Sequence, residues 1–237
     1  MKGNILITGA SSGIGEAVSR ELSEQGYMVI LVARNEEKLL RISSEIGNNC
    51  YTYPFDLENL DRIKDIFDFC RRQGILLNGM VHCAGETITS AIKTNEIDTM
   101  ERILKVNCEA FVELGKFFIN RKYSEKGASV VAVSSLSVQT RRRGKSVYSA
   151  SKAALEAVVE VMAKEAVGRE IRVNSVRPAY VNTKMIDSHS DMTDFNAEQK
   201  LGIIEPEYIA YLIEFLLSDK AKYITGAHIP VSAGMWH

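Results

Sequence analysis

The sequence predicts an α/β protein: a doubly wound parallel sheet of about seven strands with helices on both faces. Two observations carry that prediction. Short apolar runs of strand length alternate along the whole chain with longer amphipathic stretches, which is the order a parallel sheet with crossover helices requires. No linker, low-complexity run or internal repeat breaks the alternation, so the 237 residues read as one domain, 1–237. A composition of 46% hydrophobic and 25% charged residues suits such a globular core.

The elements follow in order. Ile5-Leu6-Ile7 is the first strand, bounded by Gly3 and Gly9. Ile14, Ala17, Val18 and Leu22 recur at helical spacing, and Gln25-Gly26 supplies a stop. Met28–Val32 is a second buried strand. Asn35 is placed to cap the next helix, with Glu36 and Glu37 in a first turn whose dipole favours anions. Tyr51–Phe55 and Leu77–His82 are strands, with a helix between them that faces the core through Ile63, Ile66 and Phe67. Residues 96–122 form a long helical region, Ser129–Val133 the fifth strand, 147–167 a helix and Ile171–Val176 the sixth strand. Glu207–Leu217 and His228–Val231 give a last helix and a last strand. Right-handed crossovers then put helices on both faces of the sheet. Residues 184–202, rich in Ser, Asp, Asn and Met, have weak periodicity; a stretch of this length is a substrate lid or, in the plainer reading, a surface excursion.

Charge and composition exclude several functions. Lys and Arg number 29 against 30 Asp and Glu, so there is no basic face of the kind a general nucleic-acid binder needs. No apolar run approaches the roughly 20 residues that span a bilayer, and Ile5-Leu6-Ile7 is too short for a signal peptide. The four cysteines are scattered without a Cys-x-x-Cys pair, and the four histidines lack metal-ligand spacing. A metal-free cytoplasmic protein with free thiols is expected.

Two motifs carry chemistry. Gly9-Ala10-Ser11-Ser12-Gly13-Ile14-Gly15 joins the first strand to the first helix; its glycines let backbone approach a pyrophosphate, and N–H groups at the helix start receive the charge. The spacing G-x-x-x-G-x-G departs from the G-x-G-x-x-G dinucleotide fingerprint. Tyr148 and Lys152 lie four apart on a helix and therefore share a face. A free tyrosine holds its proton near pH 10, and a neighbouring ammonium stabilises the phenolate, which makes Tyr148 a usable proton donor to a carbonyl oxygen that receives hydride at carbon.

Thr8-Gly-Ala-Ser-Ser-Gly-Ile-Gly15 followed by Tyr148-Ser-Ala-Ser-Lys152 resembles the compact, single-domain branch of the short-chain dehydrogenase/reductase family, over essentially Ile5 to Val231. The resemblance implies a Rossmann-type fold and a nicotinamide cofactor on Gly9, Ser11, Ser12, Gly13, Ile14 and Gly15. It implies Ser135, at the end of the fifth strand, as the serine that orients the substrate beside Tyr148, with Ser134 turned the other way. It implies Asn107 as the residue that positions a water linking Lys152 to solvent, although a polar residue there also satisfies local backbone. Asp56, with Leu57, matches the adenine site, where a simple cap is the alternative. Ala84 and Gly85 contact the ribose, and Pro178, Val181 and Thr183 meet the nicotinamide carboxamide. It implies Tyr148 and Lys152 both as catalytic residues and as cofactor contacts.

After the second strand, where NAD-linked proteins of this fold place an acid for the ribose 2′-hydroxyl, the chain has Val32-Ala33-Arg34. Arg34 suits a 2′-phosphate, hence NADP(H), through its planar fork; pairing with Glu36 or Glu37 is the alternative. The family's usual Asn-Asn-Ala-Gly is His82-Cys83-Ala84-Gly85 here, and Ser232-Ala233-Gly234 replaces Asp-Gly-Gly. Arg141-Arg142-Arg143-Gly144-Lys145, between Ser135 and Tyr148, either attracts an acidic substrate or partner or is a solvated loop. The expected activity is NADPH-dependent reduction of a small-molecule carbonyl substrate, with a non-catalytic NADP(H)-binding sensor or scaffold as the alternative. Ala150, Ala153, Ala154, Ala157, Val158 and Val161 give one helix a small, apolar surface that suits a homodimer or homotetramer.

Overall fold

Strand β1 (Asn4–Thr8) shows why the sheet is buried on both sides. Its side chains alternate, so Leu6 enters one hydrophobic core while Ile5 and Ile7 enter another on the opposite face. The computed structural model, which describes residues 2–187 and 199–235, pairs β1 in parallel with β2 (Met28–Ala33) on one side and β4 (Leu77–His82) on the other. Leu6 stands level with Ile30 and Met80.

Adding β3 (Cys50–Pro54), β5 (Ser124–Val133), β6 (Arg172–Pro178) and β7 (His228–Val231) gives a seven-stranded sheet in the order β3-β2-β1-β4-β5-β6-β7, parallel throughout. The chain winds outward in both directions from β1 and β4. Their carboxyl ends therefore diverge into a crevice, the place where open α/β sheets bind ligands.

Helices α1 (Gly13–Glu24) and α2 (Glu36–Ile46) pack on one face through Val18, Leu22, Leu39 and Ile42. Helix α3 (Lys64–Arg72) packs on the other through Ile66 and Phe67. Asn35 caps α2, its Oδ1 accepting from the Lys38 N–H at 2.8 Å.

The helical stretch expected over 96–122 is not uniform. It comprises α4 (Ile97–Leu104), a π-helical turn (Lys105–Glu109) and α5 (Ala110–Phe118). Strand β5 begins five residues before the apolar run that predicts it. The extra residues Glu125, Lys126 and Gly127 are exposed, and the ladder with β4 shifts register between Leu77 and Gly79.

A short helix, α6 (Ser137–Thr140), precedes the 21-residue α7 (Ser146–Ala166). A single helical turn, α8 (Lys184–Asp187), opens the segment expected to be a lid, and residues 188–198 of that segment lie outside the described residues. Beyond it, Gln199 is buried and its amide donates to the Tyr180 and Gly202 carbonyls. Helix α9 (Pro206–Leu217) closes the second core through Ile209, Ile213 and Leu216. Among the described residues no helix is long and apolar enough to cross a membrane.

Candidate active site

The crevice at the β1/β4 ends is lined by backbone that tolerates no side chain. A Cβ on Gly9 would lie 2.6 Å from the Ala84 nitrogen, and one on Gly15 would lie 2.2 Å from the Gly9 carbonyl oxygen. Gly9 (φ 68°) and Gly13 (φ 53°) also adopt the left-handed backbone that favours glycine. The start of α1 is thereby pressed against the tails of β1 and β4. Ser12, at its N-cap, makes no side-chain capping bond, so the turn presents backbone to the crevice. Beneath it His82 hydrogen-bonds Thr8 across the two strands (Nδ1 to Oγ1, 2.9 Å). Burial pushes His82 down to about 3, helped by the Lys152 charge, so the ring braces the sheet as a neutral group.

The crevice opens into one cleft of about 490 Å³. Gly9, Ser11, Ser12, Gly13, Ile14 and Gly15 line one part of it. Arg34, Asp56 and Leu57 line the end beside β2, and Ala84 and Gly85 the wall after β4. Pro178, Val181 and Thr183 come from the segment after β6, and Ser135, Tyr148 and Lys152 complete the lining. A Cβ on Gly13 would stand 3.0 Å from the Thr183 methyl, so these two segments close on each other.

Arg34 does not pair with Glu36 or Glu37. Its guanidinium bonds Glu86 at 3.1 Å and approaches Glu58 at 3.8 Å, and Glu86 is held from its other side by Arg102. Asp56 caps its own turn, accepting from the Glu58 N–H at 3.1 Å.

At the other end, β5 delivers two serines that diverge. Ser134 donates to Glu156 at 2.7 Å, whereas the Ser135 hydroxyl accepts from the Ser137 N–H at 3.1 Å and hydrogen-bonds the Tyr148 phenol. Burial raises the Tyr148 pKa, and the Ser135 contact pulls it back in part. Lys152, one turn further along α7, is buried and donates to the Val133 carbonyl at 2.8 Å. Burial drives its ammonium down to about 8.

Asn107 sits in the π turn behind the cleft wall. Its amide donates to the Glu86 carbonyl and to Ser151, and its oxygen accepts from the Glu86 N–H. The side chain thus satisfies local backbone. A Cβ on Gly85 would lie 3.1 Å from the Lys152 nitrogen and 3.2 Å from the Asn107 oxygen, so these three residues converge.

Sequence reasoning missed Glu58, Glu86, Glu156 and Arg177. For Glu86 the signal was its place directly after Ala84-Gly85. For Glu156 it was the four-residue step from Lys152, which puts both on one face of α7.

Residues 9–236 match a family model described as enoyl-(acyl carrier protein) reductase. Among relatives, the 3-oxoacyl-[acyl-carrier-protein] reductase of Rickettsia prowazekii is 30% identical over 97% of this chain and 95% of its own length. This chain belongs to the short-chain dehydrogenase/reductase family. Its relative of the same name in Thermotoga maritima is 27% identical, over 97% of this chain and 96% of that protein. A short-chain dehydrogenase/reductase structure from Mycobacterium ulcerans superposes with a TM-score of 0.91 at 28% identity, over 99% of this chain and 90% of that one. A 3-ketoacyl-(acyl-carrier-protein) reductase from Brucella melitensis, solved with NADH, shares the fold with a TM-score of 0.90 at 22% identity, over 98% of both chains. As a short-chain dehydrogenase/reductase the protein is an oxidoreductase on a Rossmann-type sheet.

Proposed function

We propose that this chain reduces a ketone to an alcohol with NADPH as hydride donor. The observation that carries the reading is the meeting of Ser135, Tyr148 and Lys152 at one end of a cleft whose other parts are the glycine cradle and Arg34. The missing side chains at Gly9, Gly13 and Gly15 fit the cleft to a dinucleotide, since any Cβ there meets backbone or the Thr183 methyl. The relatives named as 3-oxoacyl reductases support a ketone as the group reduced.

When bound along the glycine cradle, the nicotinamide cofactor would supply the hydride that reduces the carbonyl. The chain's own residues do the rest. Ser135 donates a hydrogen bond to the carbonyl oxygen and fixes it next to the Tyr148 hydroxyl. Tyr148 transfers its proton to that oxygen as the carbon gains hydride, which leaves a phenolate. The Lys152 ammonium stabilises this phenolate, and the cation is strongest where water is excluded. Asn107 holds the Glu86 backbone beside Lys152; the family resemblance assigns it the water that returns a proton from solvent.

Arg34 is the residue proposed for the 2′-phosphate. Its guanidinium carries five donors, so its contacts with Glu58 and Glu86 leave capacity for phosphate oxygens. The chain is also proposed to assemble as a homodimer or homotetramer through α7.

The test is NADPH oxidation across a panel of ketones, 3-oxoacyl thioesters and keto-sugars, with Tyr148→Phe and Arg34→Ala beside the wild type. Turnover that falls at least ~10²-fold in Tyr148→Phe is expected, together with loss of preference for NADPH over NADH in Arg34→Ala. Full turnover in Tyr148→Phe would overturn the catalytic assignment. Tight NADPH binding with no turnover of any member would favour the sensor reading.

A further inference from the structure

Arg34 is shared between two carboxylates. Its Nη2 meets Glu86 at 3.1 Å and its Nη1 meets Glu58 at 3.8 Å. Arg34 directly follows β2 and Glu86 comes shortly after β4, with β1 between those strands. The Arg34–Glu86 pair therefore bridges the end of β1, where the glycine turn begins. Both residues line the cleft. Glu86 is the fixed partner. Its backbone N–H donates to the Asn107 side-chain oxygen at 2.8 Å, and its carbonyl accepts from the Asn107 amide at 2.9 Å. Its carboxylate is held by Arg102 of α4, the helix that runs into the π turn carrying Asn107. Main chain and side chain of Glu86 are thus anchored to one continuous helical stretch. Arg34, with 59% of its side chain exposed, is the partner with room to turn.

The charges at this end of the cleft nearly cancel. Among the described lining residues that directly follow β2, β3 and β4, Arg34 and Lys38 supply the cations and Asp56 and Glu86 the acids. Glu58 stands against Arg34 as a further acid. A 2′-phosphate brings about two negative charges at neutral pH. It must draw Arg34 from Glu86, or join a cluster whose carboxylates repel it. A 2′-hydroxyl carries no charge and leaves the Arg34–Glu86 pair as it stands. When Arg34 does turn to a phosphate, Glu86 keeps Arg102 as its counter-charge, so no carboxylate is stranded and the cost of the exchange is moderate.

We propose that Glu86 determines cofactor specificity: its carboxylate competes with the 2′-phosphate for Arg34, so the chain binds NADPH only modestly more tightly than NADH and uses either as hydride donor. This competition rests on the reading of Arg34 as the phosphate residue and adds the group that limits its selectivity.

Calorimetry on the full chain, without substrate, measures the binding of NADPH and NADH. Adenosine 2′,5′-bisphosphate and adenosine 5′-monophosphate, which differ by the 2′-phosphate and lack nicotinamide, form a second pair. In wild type the 2′-phosphorylated member of each pair should bind tighter by less than about thirtyfold. Glu86→Gln should raise that ratio about three- to tenfold, the range expected when a partly exposed ion pair is removed. Arg102→Gln should move it the other way, about threefold down, because Glu86 then has Arg34 as its main counter-charge. Arg34→Ala should bring the ratio close to one. Glu86→Gln added to Arg34→Ala should change it by less than about twofold, since the carboxylate acts through the guanidinium. Turnover of the ketone panel is followed with both cofactors in parallel.

A ratio that Glu86→Gln leaves unchanged or lowers would overturn the competition, as would a rise of the same size in the Arg34→Ala background. Either result, with the ratio still lost in Arg34→Ala, leaves the phosphate reading of Arg34 intact. A ratio that Arg34→Ala does not move would overturn that reading and the competition with it. The expected shifts in binding, with no ketone turned over, would uphold Glu86 as the specificity residue and overturn the reductase reading.

Discussion

Lys152 holds a charge where the fold makes charge expensive. It is buried, its ammonium donates to one backbone carbonyl, and burial brings its pKa from 10.5 to about 8, only partly offset by Glu156 and nearby thiols. The sign of the resulting stability effect follows from proton counting. Between about pH 8 and 10.5 the unfolded chain holds a proton on this lysine that the folded chain has released, so stability rises with pH across that window. Below about pH 8 the full penalty is present, at most about 3 kcal/mol. Lys152→Met removes the penalty but leaves the Val133 carbonyl unpartnered, which costs about 1–3 kcal/mol. The variant should therefore be inactive yet about as stable as wild type at pH 7. Its stability relative to wild type should then fall by up to about 2 kcal/mol by pH 9.5, as wild type sheds the charge. Urea denaturation of both proteins at the two pH values measures this. A difference that does not move with pH would mean that Lys152 is not charged in the folded protein at pH 7.

One buried ion pair sets the relative position of three elements. Glu156 of α7 accepts from Ser134 at the end of β5 and from Arg177 of β6, whose Nε and Nη2 reach its two carboxylate oxygens at 2.6 and 2.7 Å. Each partner is next to the cleft: Ser134 precedes Ser135, Glu156 follows Lys152 by one helical turn, and Arg177 precedes Pro178. The pair therefore controls the spacing of the serine from the tyrosine and lysine. Glu156→Gln should cost about 3 kcal/mol, because it leaves a largely buried guanidinium without its counter-charge. It should also lower kcat more than it raises KM for NADPH, since the glycine cradle lies on other elements. In Glu156→Leu/Arg177→Met, stability should return toward wild type while kcat stays low, because Ser134 still lacks its acceptor. Recovery of kcat together with stability would reduce the pair to a purely structural role. The sequence could not disclose this brace, because its members lie 21 and 22 residues apart with no periodicity to link them. The Arg34–Glu86 contact spans 52 residues and was hidden for the same reason. Apolar runs such as Met28–Val32 were legible because burial on both faces demands continuous hydrophobicity. Glu125, Lys126 and Gly127 of β5 were not, since they are exposed and carry no apolar side chain, and the π turn at Asn107 was not, since it keeps the helical apolar spacing around it. That Ser135, Tyr148 and Lys152 share one cleft was legible because the chemistry proposed for them fixes both their types and their spacing.

At the scale of the whole molecule, α7 joins the site to the outside. One side of the helix carries Tyr148, Lys152 and Glu156 inward, while Ala150, Ala153, Ala157 and Val161 stay exposed, Val161 by 52%. The steps of three and four residues place these small side chains in one stripe, which lets a second helix approach closely. On α5, which packs beside α7, Val112 is also 44% exposed. A two-fold interface made by the same helix from each subunit would bury this stripe against its copy. It would also press on the rear of the helix that holds Tyr148 and Lys152, the pair proposed to be catalytic. Light scattering with size exclusion should therefore give a dimer or tetramer at micromolar concentration. Ala157→Arg, in the middle of the stripe, should shift the population to smaller species and lower Tm by several degrees. If the subunit contact also holds α7 in register, kcat in the variant should fall with dilution, while wild-type kcat stays constant over the same range. A wild-type chain that runs as a monomer would exclude the interface. A variant that dissociates with kcat unchanged would show that β5, β6 and the Glu156–Arg177 pair suffice to hold α7 without a partner subunit.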